Sequence, residues 1–413
     1  MVTCRVVNGT TTVLNSNGGI FPKVSVNEML RSIQYTDLCQ TMVSDCSMRS
    51  AAEKIQRVSH YECNHRTLDD WSEREGCSIA KQVQEQAREV LIENGFDTEK
   101  GTPVDGVVLR QELVNPDIIT ILPEDVAEAI RKYNENRADE DKISDRWVDH
   151  PYVLAPDGIN ISIDDVGVTE QKSTGRAKGS PPKEHKKRVE NTVIHIQQGL
   201  GTYILTGLGM RPVVISTLAF LLKNDLLENR ALTFFVDGAT NIKNSIQTVF
   251  CWRPYDVVLD WHHLYKKCAE RLSLIMRGSI LRNETLKQLA RILWRGALDE
   301  AIAFLNLIPD DKIKSNGSYH RNNLIDYLNR NRDNIPCYAL RKELGLRNSS
   351  NLVEKANDRV VAVRQKNKGM SWSRSGSTAL ANIRAMRING ESLAWNFSRQ
   401  LRFSLNYNLK DAA

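Results

Sequence analysis

The sequence predicts an α/β protein, a mixed sheet flanked by helices, with further helical regions before and after it. Three observations carry this. Leu232–Val236 and Val257–Leu259 are short apolar runs, each halted by an acid, Asp237 and Asp260, and runs of that length rich in Phe and Val read as buried strands. Between them Asn241–Cys251 sets Ile242, Ile246 and Phe250 at helical spacing, which makes the unit strand–helix–strand. Upstream, Val189–Ile196 and Tyr203–Gly207 flank Gly199-Leu200-Gly201, the pattern of a hairpin closed by a tight turn.

The chain has 413 residues, enough for two or three domains with a sizeable core. Residues 1–24 are polar and Gly/Asn/Thr-rich without periodicity and are expected to be poorly ordered. Residues 25–100 read as helical. Ser25 can cap a helix through Met29, Leu30 and Ile33. Ala51, Ala52 and Ile55 then share one face of a short helix, and Leu68 and Trp71 share one face of the next. The pair suits a helix-turn-helix that presents Asn64, Arg66 and Asp69 to a major groove, and a plain helical hairpin fits equally well. Ile79–Ile92 reads as a separate helix.

Residues 101–155 form a connecting α+β region. Val107–Leu109 and Ile118–Leu122 are candidate strands, and Pro123 opens an acidic helix through Ala127 and Ile130. Charged Asn136–Asp145 marks a boundary. Residues 156–262 hold the α/β pattern: strand Ile161–Ile163 ending on Asp164-Asp165, a basic Gly/Pro-rich loop Gln171–Arg188, the hairpin, a helix over Val213–Leu227, then strand–helix–strand. Residues 263–347 show only helical spacing. Residues 348–413 hold a last long helix, from about Asn351 to Gln365, and a basic tail.

Composition narrows the function classes. No apolar run is long enough to span a bilayer, and no basic-then-apolar signal opens the chain, so a cytoplasmic protein with no membrane partner is expected. The eight cysteines are expected as reduced thiols. Cys39, Cys46, Cys63 and Cys77 have irregular gaps and no C-x-x-C pair, which argues against zinc. The formal charge is +6, but Leu340–Arg402 carries thirteen Lys/Arg against four Asp/Glu, so that segment alone is +9 and the remainder −3. Basic charge gathered in one segment points to a polyanionic partner.

Three acids stand where a metal-dependent nuclease would need them: Asp164 at the end of the first core strand, Asp237 at the end of the fourth, and Glu354 early in the last helix. Phosphodiester chemistry needs an activated water or 3′-hydroxyl and neutralisation of the leaving oxygen. Two hard cations roughly 3.5–4 Å apart do both, with carboxylates as preferred ligands. Each acid also has a plainer reading. Asp164 or its neighbour Asp165 can cap a turn, Asp237-Gly238 can be a turn pair, and Glu354 follows Asn351 at capping-box spacing.

The strand and helix order, with these acids, resembles the RNase H-like catalytic domain of DDE transposases from bacterial insertion sequences. Most specific is NSSNLVEKANDRVVAVRQKNKGMSWSRSGSTALANIRAMRINGE, similar to the block around the last catalytic acid in ISLre-type and ISKra-type transposases: a turn, V-E, a basic helix, then G-M-x-W. Here these are Val353-Glu354, Arg364, Lys366, Gly369-Met370 and Trp372. Asp260-Trp261-His262-His263 likewise resembles the D-x-x-H signature of the Mutator-type group, and the segment around Ser47–Trp71 resembles that group's N-terminal DNA-binding region. Two departures stand out. The turn before Glu354 is Asn348-Ser349-Ser350-Asn351 where glycines are more usual, and the first acid lies in Asp164-Asp165-Val166 rather than D-x-T or D-E-D.

The resemblance implies Asp164, Asp237 and Glu354 as catalytic and metal ligands for two Mg²⁺ ions, with Mn²⁺ able to substitute and Asp165 the alternative first acid. It implies an all-α insertion over 263–347 within an RNase H-like core. His263 and Asp260 would shape DNA near the active site. Lys355, Arg359, Arg364 and Lys366 would neutralise flanking phosphates, and Trp372 would stack on an unpaired base. The partners implied are double-stranded DNA, as inverted repeats of the element and as target, and further copies of the chain, since two ends must be synapsed. The place implied is the bacterial cytoplasm, on the nucleoid when bound. Two other readings fit the same residues: an RNase H-fold endonuclease that does not join strands, and a decayed or domesticated DNA-binding protein.

Overall fold

The structure, a computed structural model, describes residues 3–7, 10–14, 32–60, 62–154, 156–171, 187–366 and 369–407. In chain order it begins with a hairpin of β1 (Thr3–Val7) and β2 (Thr10–Leu14), in a stretch where no regular element is expected. The helix start expected at Ser25 lies outside the described residues. Helices α1 (Ile33–Asp45), α2 (Met48–Ser59) and α3 (His65–Glu93) follow, then α4 (Gln111–Val114) and α5 (Pro123–Asn134). The α/β core comprises β3 (Gly158–Thr169), β4 (Arg188–Gln198), β5 (Gly201–Leu208), α6 (Met210–Lys223), β6 (Ala231–Val236), α7 (Thr240–Phe250) and β7 (Asp256–Leu259). After it come α8 (Trp261–Ile275), α9 (Ser279–Trp294), α10 (Leu298–Asn306), α11 (Gly317–Arg330) and α12 (Tyr338–Glu343). The chain closes with α13 (Asn351–Asn357), a π-helical turn Asp358–Ala362, α14 (Val363–Gln365), α15 (Arg374–Ile388) and α16 (Ser392–Ser398).

Each of the first three helices opens on a side chain that accepts an orphan N–H: Ser32 from Tyr35, Ser47 from Ser50, and Asn64 from Arg66. α3 is one helix of 29 residues, not the two expected on either side of Gly76. Gly76 is a crossing point: a Cβ there would overlap the Ala379 carbonyl of α15. Mid-helix glycine costs only about 1 kcal/mol. The close approach of α3 to α15 outweighs that by burying Leu68 and Ile79 against Leu380 and Ile383.

The candidate strands at Val107–Leu109 and Ile118–Leu122 do not form. Val108 and Ile119 are 94% and 71% exposed, and among the described residues no strand pairs with either run. The backbone of Ile121 is tied instead to Tyr152.

The five core strands make one mixed sheet in the order β5-β4-β3-β6-β7. β3, β4 and β5 are antiparallel neighbours, and β6 and β7 run parallel to β3. One face buries Ile161, Phe234 and Ile194 against α6, α7 and the end of α3. The other turns Val166, Val168 and Val193 toward Val353, Val360 and Ala381 of the last helices. The long helical stretch α8–α12 has a core of its own, which takes in Phe235, Val258 and Leu259 from the sheet. β3 does not stop before Asp164: β4 pairs with it as far as Thr169↔Arg188, and Val166 and Val168 keep the alternation that buries one face. Among the described residues no helix is long and apolar enough to cross a membrane.

Candidate active site

Parallel registers set the site. β3 and β6 pair through Ser162↔Phe235, and β6 and β7 through Val236↔Leu259. Carrying each register forward brings Asp164, midway along β3, level with Asp237, and Asp237 level with Asp260, the latter two just past the carboxyl ends of β6 and β7. Paired residues on neighbouring strands point to the same face, so Asp164 shares the face of Ser162 and Phe235, where α8 and α13 lie. Gly238, at φ +86°, lets the chain turn off β6; a Cβ there would meet the Tyr327 hydroxyl at 2.8 Å.

Asp164 and Asp237 form a charged pair. Burial, then the charge of Asp237, pushes the Asp164 carboxyl up to about 6, against a smaller opposing pull from the backbone N–H of Asp165 and from His263. Asn357 Nδ2 donates to Asp164 Oδ2 at 2.6 Å, and Asn357 Oδ1 is buried without a partner. Asp165 points to the opposite face, accepting from Thr192 Oγ1 at 2.6 Å and facing Asn241 Nδ2 at 3.5 Å.

Glu354 reaches the site from α13. It makes no capping box: Ser350 precedes the helix without a side-chain cap, and Asn351 accepts from Arg347 instead. Its Oε1 lies 3.4 Å from His263 Nε2, with the glutamate side chain 50% and the histidine 29% exposed. His263 thus contacts Glu354 while its charge acts on Asp164. Asp237, His263, Lys266 and Tyr327 line one open cleft.

Asp260 differs from its neighbours. It is 1% exposed and accepts from the His263 N–H at 2.8 Å, from the Ser350 hydroxyl at 3.0 Å and from the Ser350 N–H. It caps α8 and ties that cap to the turn before α13, which corrects its expected place on DNA. Two more expected DNA contacts are packing residues. Arg364 is buried, with Nε donating to the Val43 carbonyl and its guanidinium over the Trp372 ring. Trp372 packs between two core clusters, and its indole N–H donates to the Gln365 carbonyl at 3.1 Å. Lys355, Arg359 and Lys366 are exposed, as are Asn64 and Arg66 at the start of α3.

The donor set suits a hard divalent cation. It offers two aspartates level on adjacent strands, of which Asp164 has its proton affinity raised by burial and then by the charge of Asp237, and a buried amide oxygen at Asn357 with no partner among the described residues. Among the described residues no three of His, Cys, Asp and Glu converge on one ion, and Glu354 contacts His263. Sequence reasoning missed Asn357, although it follows Glu354 by three residues and so shares its helix face. It also missed Tyr327, whose partner lies 90 residues away. No family model matches this chain, and neither does any curated protein.

Proposed function

We propose that the chain is a DDE-type transposase with an RNase H-like core, cutting DNA at the ends of a mobile element and joining the freed 3′-hydroxyl to target DNA. The observation that carries this is the level register of Asp164 and Asp237 across β3 and β6, with His263 of α8 acting on Asp164 and contacting Glu354 of α13. The sheet order, three antiparallel strands followed by two parallel to the first, agrees with the RNase H-like arrangement.

Asp164, Asp237 and Glu354 would hold two Mg²⁺ ions, or Mn²⁺ in their place, and these supply water activation and neutralisation of charge on the leaving oxygen. The chain's own residues prepare the site. Asn357 fixes the Asp164 carboxylate by one hydrogen bond. His263 holds the half-exposed Glu354 side chain. In cleavage, water oxygen bonds to phosphorus and the bond to the 3′-oxygen breaks, giving a 3′-hydroxyl and a 5′-phosphate. In joining, that 3′-hydroxyl attacks a target phosphate and the target's own 3′-oxygen leaves.

Exposed Lys355, Arg359 and Lys366 after Glu354, and Asn64 and Arg66 at the start of α3, supply contacts to duplex DNA. Joining two ends requires more than one copy of the chain. The test is a strand-transfer assay with labelled end-bearing DNA and Mg²⁺. A joined product supports the transposase. Nicking without joining supports an endonuclease of the same fold, and neither supports a binding protein only.

A further inference from the structure

The cleft below Asp237 has a second wall that the acids do not explain. On α8, His263, Lys266, Lys267 and Glu270 follow one another at i, i+3, i+4 and i+7, and all four line the same opening as Asp237, Gly238 and Tyr327. One helical turn is about 5.4 Å, so the two lysines stand one turn beyond His263, itself within 3.4 Å of Glu354.

Neither lysine is paired with a carboxylate among the described residues. Glu270 is in range by spacing, yet makes no ion pair with Lys266, and a lysine preceding a glutamate by four is the weaker orientation of such a pair. Lys267 is held in place instead. Its ammonium lies 5.7 Å from the centre of the Tyr327 ring, and the Tyr327 hydroxyl faces the Asp237 carbonyl at 3.5 Å. The absence of a side chain at Gly238 makes room for that hydroxyl. Lys267 is therefore indexed to the strand end that carries Asp237, while Lys266 projects into solvent beside it.

Resting on the transposase reading, we propose that Lys266 and Lys267 seat the phosphates next to the reacting one, so that the cut strand lies along α8 and Tyr327 sets the distance from Asp237 to that seat. The substrate feature read is the backbone charge of one nucleic-acid strand, not its bases. Lysines serving only to balance Asp237 and Glu270 would leave DNA affinity insensitive to their loss.

The test measures binding of a labelled duplex by the full chain over a range of salt, and nicking of the same duplex with Mg²⁺. Lys266→Ala/Lys267→Ala is expected to lower the slope of log affinity against log salt by roughly 1–2 and to raise KM for DNA. Lys266→Arg/Lys267→Arg is expected to keep the parental slope. Tyr327→Phe keeps the ring under Lys267 and is expected to keep it too, while Tyr327→Ala lowers it by less than the double alanine change. A parent that binds and nicks DNA, with a double alanine variant of unchanged slope and KM, overturns this inference and leaves the transposase reading standing. A parent that neither binds nor nicks DNA overturns both.

Discussion

Asn357 donates a 2.6 Å hydrogen bond to the carboxylate of Asp164, a residue 193 positions earlier in the chain. It joins the middle of the first core strand to α13, and it holds the carboxylate that burial and Asp237 have made the more basic. Asn357→Ala removes the donor and opens a small polar cavity. We expect Mg²⁺-dependent nicking to fall about 10–100-fold, as for other residues that orient a metal-ligating group, with affinity for duplex DNA unchanged. Single-turnover nicking and a binding titration, run side by side, check both halves.

Asp164→Asn should stabilise the fold while abolishing nicking. An acid whose folded pKa is raised, here from 3.8 to about 6, contributes stability that is fully present below its unfolded pKa. That contribution is lost as pH rises through the folded value. Above pH 6 the ionised Asp164 therefore costs the parent up to roughly 3 kcal/mol, at about 1.4 kcal/mol per unit. Thermal unfolding at pH 8 should show the variant melting higher than the parent. Near pH 4 the two should coincide.

His195 works in the opposite sense. Burial, then the charge of Arg347, pushes its imidazole down to about 4, so it is neutral in the folded chain. Its stability contribution is present above an unfolded pKa near 6.5 and is lost as pH falls through 4. In the parent this loss overlaps the gain from Asp164. Denaturant unfolding of Asp164→Asn between pH 7 and pH 4 should therefore show a steeper loss on acidification than the parent shows, and His195→Gln in the same background should flatten it.

Asp260→Ala separates architecture from chemistry. It strips the acceptor from the His263 N–H and both Ser350 donors, at about 2–4 kcal/mol for buried charge-assisted bonds. Loss of nicking in this variant should track unfolding and recover on cooling, whereas Asp237→Asn should stay inactive while fully folded. Circular dichroism melts alongside nicking assays distinguish them.

Much of the core was legible because its signals are local. The hairpin around Gly199–Gly201 and the strand–helix–strand of 231–259 follow from periodicity and turn residues, and the acids at 237 and 260 mark where apolar runs stop. The helical stretch from Asn351 to Gln365 forms with a π turn at Asp358–Ala362 and is not the last, since α15 and α16 occupy the expected tail. What escaped depends on partners far away in sequence. Gly76 reads as a helix break until α15 is seen against it, and β3 seems to stop at two aspartates until β4 is seen to pair beyond them. Arg364 and Trp372 look like nucleic-acid contacts by type, and only burial against Val43 and Gln365 reveals them as packing. Asp237 and Asp260 have the same sequence signature. Only Ser350, 90 residues on, makes the second a structural clamp.

The most direct measurement is Mg²⁺-dependent nicking of labelled duplex DNA by the parent chain and by Asp237→Asn, with folding checked by thermal unfolding. The account predicts nicking by the parent that requires Mg²⁺ or Mn²⁺, and none by the folded variant. Equal nicking by both proteins, or nicking by the parent that persists in excess chelator, would contradict it.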